Sequence, residues 1–391
     1  MIVRQFISWI RTASAGERAE ATRSLARAWL ISDLNEEDRA AAEGALLMLL
    51  DDASPLVRQA MAEVFARSTE APAAIVQALA LDQPSVALAV LEHSPLLIDA
   101  DLVDIVATGN SETQCAIARR IHLPASVCAA IAEVGSPAAA LELIENAYAE
   151  LPPFSWDRIV ERHGHLAAIR ESMLVLEDLP AATRVALIAK LSDTLAQFVV
   201  ARNWLSPDRA GRIASEARDR STVNIAARSR GEDMRGLVRH LRATGQLTAG
   251  LILRALLSGN LELFDAALSE LSDMPQARVS ALLLERGGAS LQALLIRAGL
   301  PESTFAAFRA ALEVNHEMGY VDSHGGAARL RRRMVERVLT HCETDRKAAE
   351  PLLILLRRFA TESAREEARL FCDELIAEDA IAPVQHDLIA A

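Results

Sequence analysis

The segment most like a metal site is a polar stretch at residues 315–326, which opens with His316 followed by glutamate. This start matches the zinc-binding H-E-x-x-H pattern, in which two histidines one helical turn apart share the metal. Tyr320 stands where the second histidine would be, so the template is incomplete. Asp322 and His324 would be the remaining ligands of a mixed site. A structural loop rich in glycine and polar residues is the simpler interpretation.

Arginine offers a second kind of chemistry. Residues 201–245 hold ten basic and five acidic residues, a net charge of +5 within an acidic chain. Guanidinium groups suit bidentate contact with phosphate or carboxylate. The candidate interaction residues are Arg235, Arg239 and Arg242 on one predicted helix face, and Arg331, Arg332 and Arg333 in a second cluster.

These arginines leave three interpretations open. They could bind a nucleic acid, a nucleotide or an acidic partner. They could instead pair with acidic residues of the same chain or simply face water, as charge runs on helices usually do.

Recognised catalytic patterns are missing from the sequence. No phosphate-binding P-loop, no G-x-G-x-x-G and no G-x-S-x-G occurs, and only Lys190 and Lys347 could serve as lysine bases or nucleophiles. Cys115 and Cys128 lie among apolar residues and are interpreted as buried small side chains. The His-Gly-His sequence at residues 163–165 is interpreted as a helix end. We therefore expect a protein that is not an enzyme and needs no cofactor or metal.

The composition predicts a helical, water-soluble chain. The 391 residues are 51% hydrophobic but only 4% aromatic, and 24% are charged. The net charge of −12 disfavours non-specific attraction to nucleic acid or anionic lipid. No apolar run is long enough to cross a membrane, and the amino terminus lacks the apolar core of a signal peptide, so we expect a cytoplasmic location and no membrane partner.

Helical periodicity is nearly unbroken and no alternating strand pattern occurs, so the predicted fold class is all-α. The sequence D-x-x-P-x-V-R at residues 52–58 places proline at the start of an amphipathic helix, and related turns recur at Pro84 and Pro137. A shorter helix precedes each of these, so the unit is a helical pair that must stack on its neighbours to bury its apolar side. The stacked pairs predict an α-solenoid. The D-x-x-P-x-V-R sequence resembles the HEAT and armadillo class of helical repeats, and this resemblance implies that Asp52 and Arg58 form a structural ladder between units.

Consecutive prolines at 152 and 153 predict the domain boundary, because Pro-Pro cannot continue a helix. Residues 1–150 form the predicted repeat domain, with 10 basic and 21 acidic residues, whereas residues 151–391 hold 31 and 32. In the second half, turns at Gly245, Gly259 and Gly299 predict further helical pairs, and residues 220–233 are a predicted loop. The last predicted helices are 327–341, 346–361 and 363–377.

The chain as a whole resembles one bacterial family. The packing and turn motifs that carry the resemblance are residues 82–97 with V-L-E-H-S-P-L-L, residues 114–120, residues 145–147, residues 258–264 and residues 297–301. Together they are similar to the alphaproteobacterial domain-of-unknown-function 2336 family. The resemblance implies an intracellular bacterial protein with HEAT-like repeats, and it carries no catalytic residue.

The sequence favours a non-enzymatic scaffold that presents a surface to another protein, whose identity it does not give. Nucleic-acid binding through the arginine-rich helices is the first alternative, although the net charge disfavours it. A metal-dependent enzyme that uses residues 315–326 is the second alternative.

Overall fold

The structure is a computed structural model that describes residues 9–10, 12–284, 288–318, 326–344 and 350–389. These residues divide into two compact units, one ending at Leu179 and the other beginning at Pro180. Within the described ranges the structure is helical and has no strand, apart from one parallel bridge between Leu123 and Ala149. The predicted all-α class is therefore confirmed. No described helix is both long and apolar enough to span a membrane.

The first unit consists of short helices. Their bounds are α1 Ala15–Ile31, α2 Glu36–Leu49, α3 Pro55–Phe65, α4 Ala73–Ala80, α5 Pro84–His93, α6 Asp99–Thr108, α7 Ser111–Ala118, α8 Ala125–Val134, α9 Pro137–Glu145, α10 Pro153–His163 and α11 Ala167–Val175. Proline begins α3, α5 and α9, as the repeat pattern predicts, since its missing N–H group would be unpaired there anyway.

Alternate helices of the first unit pack side by side. One row runs α1, α3, α5, α7, α9 and α11, and a second contains α6, α8 and α10. The apolar side of each helix is fully buried between neighbours, as Met61 and Phe65 show for α3. This repeat-like packing is what stacked helical pairs require. The solenoid itself stays a prediction.

Side chains from one helix cap the carboxyl end of a preceding one. Arg120, after α7, donates to the carbonyls of Leu91 and Ser94 at 2.5 and 2.6 Å, at the end of α5. Asn146 does the same for α7, and Arg162 for α8. The last carbonyls of a helix lack partners within the helix and carry partial negative charge, so a buried cation satisfies both needs.

The ladder predicted from Asp52 and Arg58 is present. Each residue pairs with a neighbouring unit: Arg18 lies 2.8 Å from Asp52, and Arg58 lies 2.5 Å from Asp82. The hydrogen bond from Arg18 is the main reason that the pKa of Asp52 lies below its ordinary value, although burial opposes it. Both residues are therefore structural.

The boundary between units differs from the predicted one. The first unit continues to Leu179 because Pro153 begins α10 rather than ending the array. Helices α10 and α11 pack on α8 and α9, and Arg158 forms an ion pair with Glu133 of α8 at 2.7 Å. Pro-Pro interrupts a helix but not a stack of helices, because proline fits the first position of the next helix.

The second unit contains longer helices. Their bounds are α12 Ala181–Ala201, α13 Pro207–Ala226, α14 Gly231–Ala243, α15 Ala249–Leu257, α16 Leu261–Ser272, α17 Gln276–Leu284, α18 Gly288–Arg297, α19 Phe305–Met318, α20 Gly326–Thr344 and α21 Glu350–Ile389, with a 3₁₀ turn at Glu302–Thr304. Gly245 and Gly259 adopt positive φ in the predicted turns.

Two predicted features of this unit were wrong. Most of the predicted loop at 220–233 is helical, because α13 continues to Ala226, where Val223 and Ala226 are buried. The two predicted helices at 346–361 and 363–377 form parts of the single helix α21. Only Glu362 separates them in sequence, and glutamate does not break a helix.

Helix α15 lies between two hydrophobic clusters. Leu251 and Ala255 belong to a cluster with α12, α13, α14 and α16. Ile252, Leu253 and Leu256 belong to another that reaches α21. Every residue from Leu251 to Leu257 is buried, so this helix is the centre of the second unit.

We expect Arg120→Met to lower the free energy of unfolding of the first unit by about 2–4 kcal/mol, because two carbonyls lose a charged donor in a buried position. Arg119→Met is the matched control, since Arg119 is exposed and pairs only with Glu142. Its cost is expected to be about 0–1 kcal/mol. Urea denaturation followed by circular dichroism measures both. Equal costs for the two variants would show that the carbonyl caps are not important.

Candidate functional site

The candidate site begins with Arg254, the one charged residue of α15. Thr248 starts this helix by accepting a hydrogen bond from the Leu251 N–H, and Gly259 ends the following turn. Because both sides of α15 are apolar and packed, Arg254 is only 8% exposed. A buried guanidinium needs hydrogen-bond acceptors, and a carboxylate partner also balances its charge.

Glu362 of α21 is that partner. Nη1 of Arg254 lies 2.8 Å from both carboxylate oxygens of Glu362. The guanidinium carbon also lies 4.2 Å from the centre of the Phe359 ring, almost one turn earlier on α21. The ion pair and the cation–π contact together hold the arginine head in one orientation.

A third helix contributes Arg220, which donates from Nε to the same carboxylate of Glu362. Burial opposes ionisation of Glu362, but the hydrogen bonds from Arg220 and Arg254 outweigh it and keep its pKa below its ordinary value. Glu362 thus remains charged and joins α13, α15 and α21.

These three helices surround an open cleft of about 820 Å³. Its charged lining residues are Glu216, Arg220, Arg254, Arg357, Arg358, Glu362, Arg365, Glu366 and Arg369. Six arginines and three glutamates give this lining a net charge of +3, in a chain of net charge −12. Ile354 and Leu355 add an apolar part to the wall. We refer to this site as the arginine cleft.

All three glutamates of the arginine cleft have arginine partners. Glu362 is shared by Arg254 and Arg220, Glu216 pairs with Arg358 at 2.5 Å, and Glu366 pairs with Arg331 at 2.7 Å. The acidic side chains are therefore occupied, and the surplus charge is on the arginines.

Arg220 and Arg254 share one carboxylate, and the rest of the surplus is on two exposed residues, Arg365 and Arg369. Neither has a carboxylate partner among the residues that the structure describes. The Nε atoms of Arg254, which lines the cleft, and of Arg331, which lines a small neighbouring cavity, have no hydrogen-bond partner in the described part of the chain, but both atoms are covered from solvent. The donors exposed to an anion are therefore those of Arg365 and Arg369 on α21.

Asp219 lies next to Arg220 on α13. Burial raises its pKa to about 6, against the opposing effect of Arg254 and Arg218, while Glu216 and Glu362 reinforce the rise. This carboxylate therefore changes charge close to neutral pH, beside the arginines of the cleft.

The predicted arginine face of α14 does not line the arginine cleft, and its three arginines have carboxylate partners within the chain. Arg235 and Arg239 both pair with Glu232, at 2.5 Å each. Arg242 contacts Glu270 at 3.0 Å and Asp273 at 3.3 Å. These are exposed ion pairs within the chain, which was one of the open interpretations.

The three arginines of the second predicted cluster, residues 331–333, have different surroundings. Arg331 borders a small cavity of about 30 Å³ that shares the lining residues Arg220, Arg254 and Glu362 with the arginine cleft. Arg332 pairs with Glu336 and Glu367 at 2.7 and 3.0 Å. Arg333 is exposed. None of the six candidate arginines lines the arginine cleft itself, and only Arg331 lines this neighbouring cavity.

Sequence reasoning missed the arginines of α21, although a signal was present. Arg358, Arg365 and Arg369 are spaced by seven and four residues, which places them on one helix face. Arg254 also had a signal, because a single arginine within the apolar run of α15 is buried only if it has a partner.

The structure describes only part of the predicted metal segment. Asn315, His316 and Glu317 continue α19, and Glu317 pairs with Arg337 at 2.9 Å. Tyr320, Asp322 and His324 lie outside the described residues. Among the described residues, no group of three or more histidine, cysteine or acidic side chains is placed to hold a metal.

The other predicted structural residues behave as expected. His163 is buried at the end of α10, and its Nε2 lies 3.2 Å from the Gly135 carbonyl. Cys115 and Cys128 are buried, which raises the pKa of both thiols, that of Cys128 to about 11.

The fold and site define an all-α, repeat-like protein with an arginine-lined cleft in its second unit. The chain belongs to the DUF2336 family, described as an uncharacterised protein conserved in bacteria, whose family model matches residues 86–346. The predicted family is therefore confirmed. No curated protein and no solved structure matches the chain.

The raised pKa of Asp219 predicts a pH-dependent stability. Its folded pKa of about 6 exceeds the unfolded value, so its contribution is present at pH 4 and is lost as the pH rises through 6. Asp219→Asn should therefore raise the free energy of unfolding by about 1–3 kcal/mol at pH 7.5, with little effect at pH 4.

Denaturant titrations at the two pH values measure this difference. Asp193→Asn is the control, because Asp193 is an exposed carboxylate that pairs with Arg218. Its effect should stay within about 1 kcal/mol at pH 7.5. A destabilised Asp219→Asn variant at pH 7.5 would contradict the expectation.

Proposed function

We propose that this chain is a non-enzymatic interaction protein of the bacterial cytosol, which holds an acidic segment of a partner protein in the arginine cleft. The observation that carries the proposal is the surplus of positive charge at Arg365 and Arg369. Unpaired guanidinium groups beside a formed cleft favour an anionic ligand.

The charge distribution favours an acidic protein segment over nucleic acid. A nucleic acid is a long polyanion that would meet the field of the whole chain, which has a net charge of −12. A short segment needs only the cleft, where the lining carries +3. The apolar side chains of Ile354 and Leu355 suit the flanking residues of such a segment.

The lining of the arginine cleft supports binding rather than catalysis. Among the described residues that line it there is no histidine, cysteine or lysine, which are frequent bases and nucleophiles. Its carboxylates are engaged by arginine, and Glu362 is held as an anion. The groups left available are hydrogen-bond donors.

Two charge-reversal variants test the proposal. The cleft variant is Arg365→Glu/Arg369→Glu, and the α14 variant is Arg235→Glu/Arg239→Glu. Each changes the net charge by −4 on exposed helix residues, and the α14 variant also breaks the ion pairs of Arg235 and Arg239 with Glu232. The tagged protein is purified from its native host after crosslinking, with and without nuclease, and its partners are quantified by mass spectrometry.

We expect a stoichiometric protein partner that survives nuclease, is retained by the α14 variant and falls at least tenfold with the cleft variant. If only the α14 variant loses the partner, the binding surface is the α14 face instead of the cleft. If nuclease treatment removes the partner, the proposal is replaced by nucleic-acid binding. Circular dichroism verifies that both variants are folded.

A further inference from the structure

We infer that the group taken by the arginine cleft is a phosphate monoester, carried by a phosphorylated side chain of the partner protein. This inference rests on the proposed function and specifies its chemistry. It follows from the number, origin and fixation of the donors in the cleft.

The donors exceed what one carboxylate can use. Arg220, Arg365 and Arg369 present guanidinium groups from α13 and α21, and Arg254 lines the cleft from α15, although its Nε is itself covered from solvent. A carboxylate has two acceptor oxygens, whereas a phosphate monoester has three terminal oxygens and close to two negative charges. Guanidinium groups from several helices therefore match a phosphate monoester better than a carboxylate.

The charge of the cleft supports the same choice. Glu362 already supplies a carboxylate to Arg254 and Arg220. A carboxylate from a partner would offer those arginines only the chemistry they already have. A dianion brings an extra charge and an extra oxygen, and the lining charge of +3 is sufficient to neutralise it despite Glu362 and Glu366.

Arg254 is fixed before any ligand arrives. It is 8% exposed, its Nη1 is held by both oxygens of Glu362, and its guanidinium is covered by the Phe359 ring. A donor that is already immobilised loses little conformational entropy on binding.

The cleft is also larger than a free phosphate ion. A volume of about 820 Å³ and a wall that includes Ile354, which is 43% exposed, leave room for a carrier with apolar parts. A phosphorylated residue with its flanking side chains fills this space, whereas inorganic phosphate would contact only the arginines.

Fluorescence anisotropy of the full chain tests the inference with degenerate peptide pools. Each pool has one fixed central residue, which is phosphoserine, phosphothreonine, phosphotyrosine, glutamate or unmodified serine, and random flanking residues. Inorganic phosphate and ATP serve as competitors. The cleft variant and the α14 variant are titrated alongside the wild type.

We expect at least one phosphorylated pool to bind tenfold or more tightly than the glutamate pool. Binding should fall at least tenfold with the cleft variant and persist with the α14 variant. Inorganic phosphate should compete only weakly. ATP that binds more tightly than every phosphorylated pool would overturn the inference in favour of a nucleotide.

Phosphatase treatment of the host lysate before purification separates the two proposals. Loss of the cleft-dependent partner after treatment supports the phosphate. A partner that stays cleft-dependent after treatment, or glutamate and phosphorylated pools that bind alike, overturns the phosphate and leaves the proposed function standing. Capture that is independent of the cleft contradicts the proposed function itself.

Discussion

The ion pair between Arg254 and Glu362 links the core of the second unit to its candidate site. Arg254 is buried because α15 lies between two hydrophobic clusters, and a buried guanidinium left without acceptors would cost several kcal/mol. Glu362 meets this need and also accepts from Arg220, so three helices meet at one charged group. The arginine cleft is formed around this meeting point.

Helix ends impose a second constraint, which applies to both units. Short helices leave many carbonyls without partners, and stacking brings those carbonyls close to side chains of the next helix. Arg120 and Arg162 cap carbonyls in the first unit, and Arg242 and Arg297 in the second. Arginine suits this task because its donors form a fork and its charge complements the helix dipole.

Most of these arginines donate to carbonyls or carboxylates within the chain. The arginines without such partners are therefore the informative ones. The α14 face is rich in arginine, but each guanidinium has a carboxylate partner, and Arg235 and Arg239 share Glu232. In the arginine cleft every glutamate is already engaged, and Arg365 and Arg369 remain. The number of basic residues along the chain favoured the α14 face. The ion pairs seen in the structure favour the arginine cleft.

The sequence by itself determined the helical class, the proline-started repeats, the ladder through Asp52 and Arg58, and the family, because these depend on local preferences and on periodicity that is visible along the chain. It did not determine that the first unit extends to Leu179, since proline ends a helix and begins the next with equal ease. Only the tertiary structure decided which arginines have partners, because Glu362 lies more than a hundred residues from Arg254 and Arg220. Electrostatic neutralisation depends on distance in space, and the order of residues along the chain does not contain that distance.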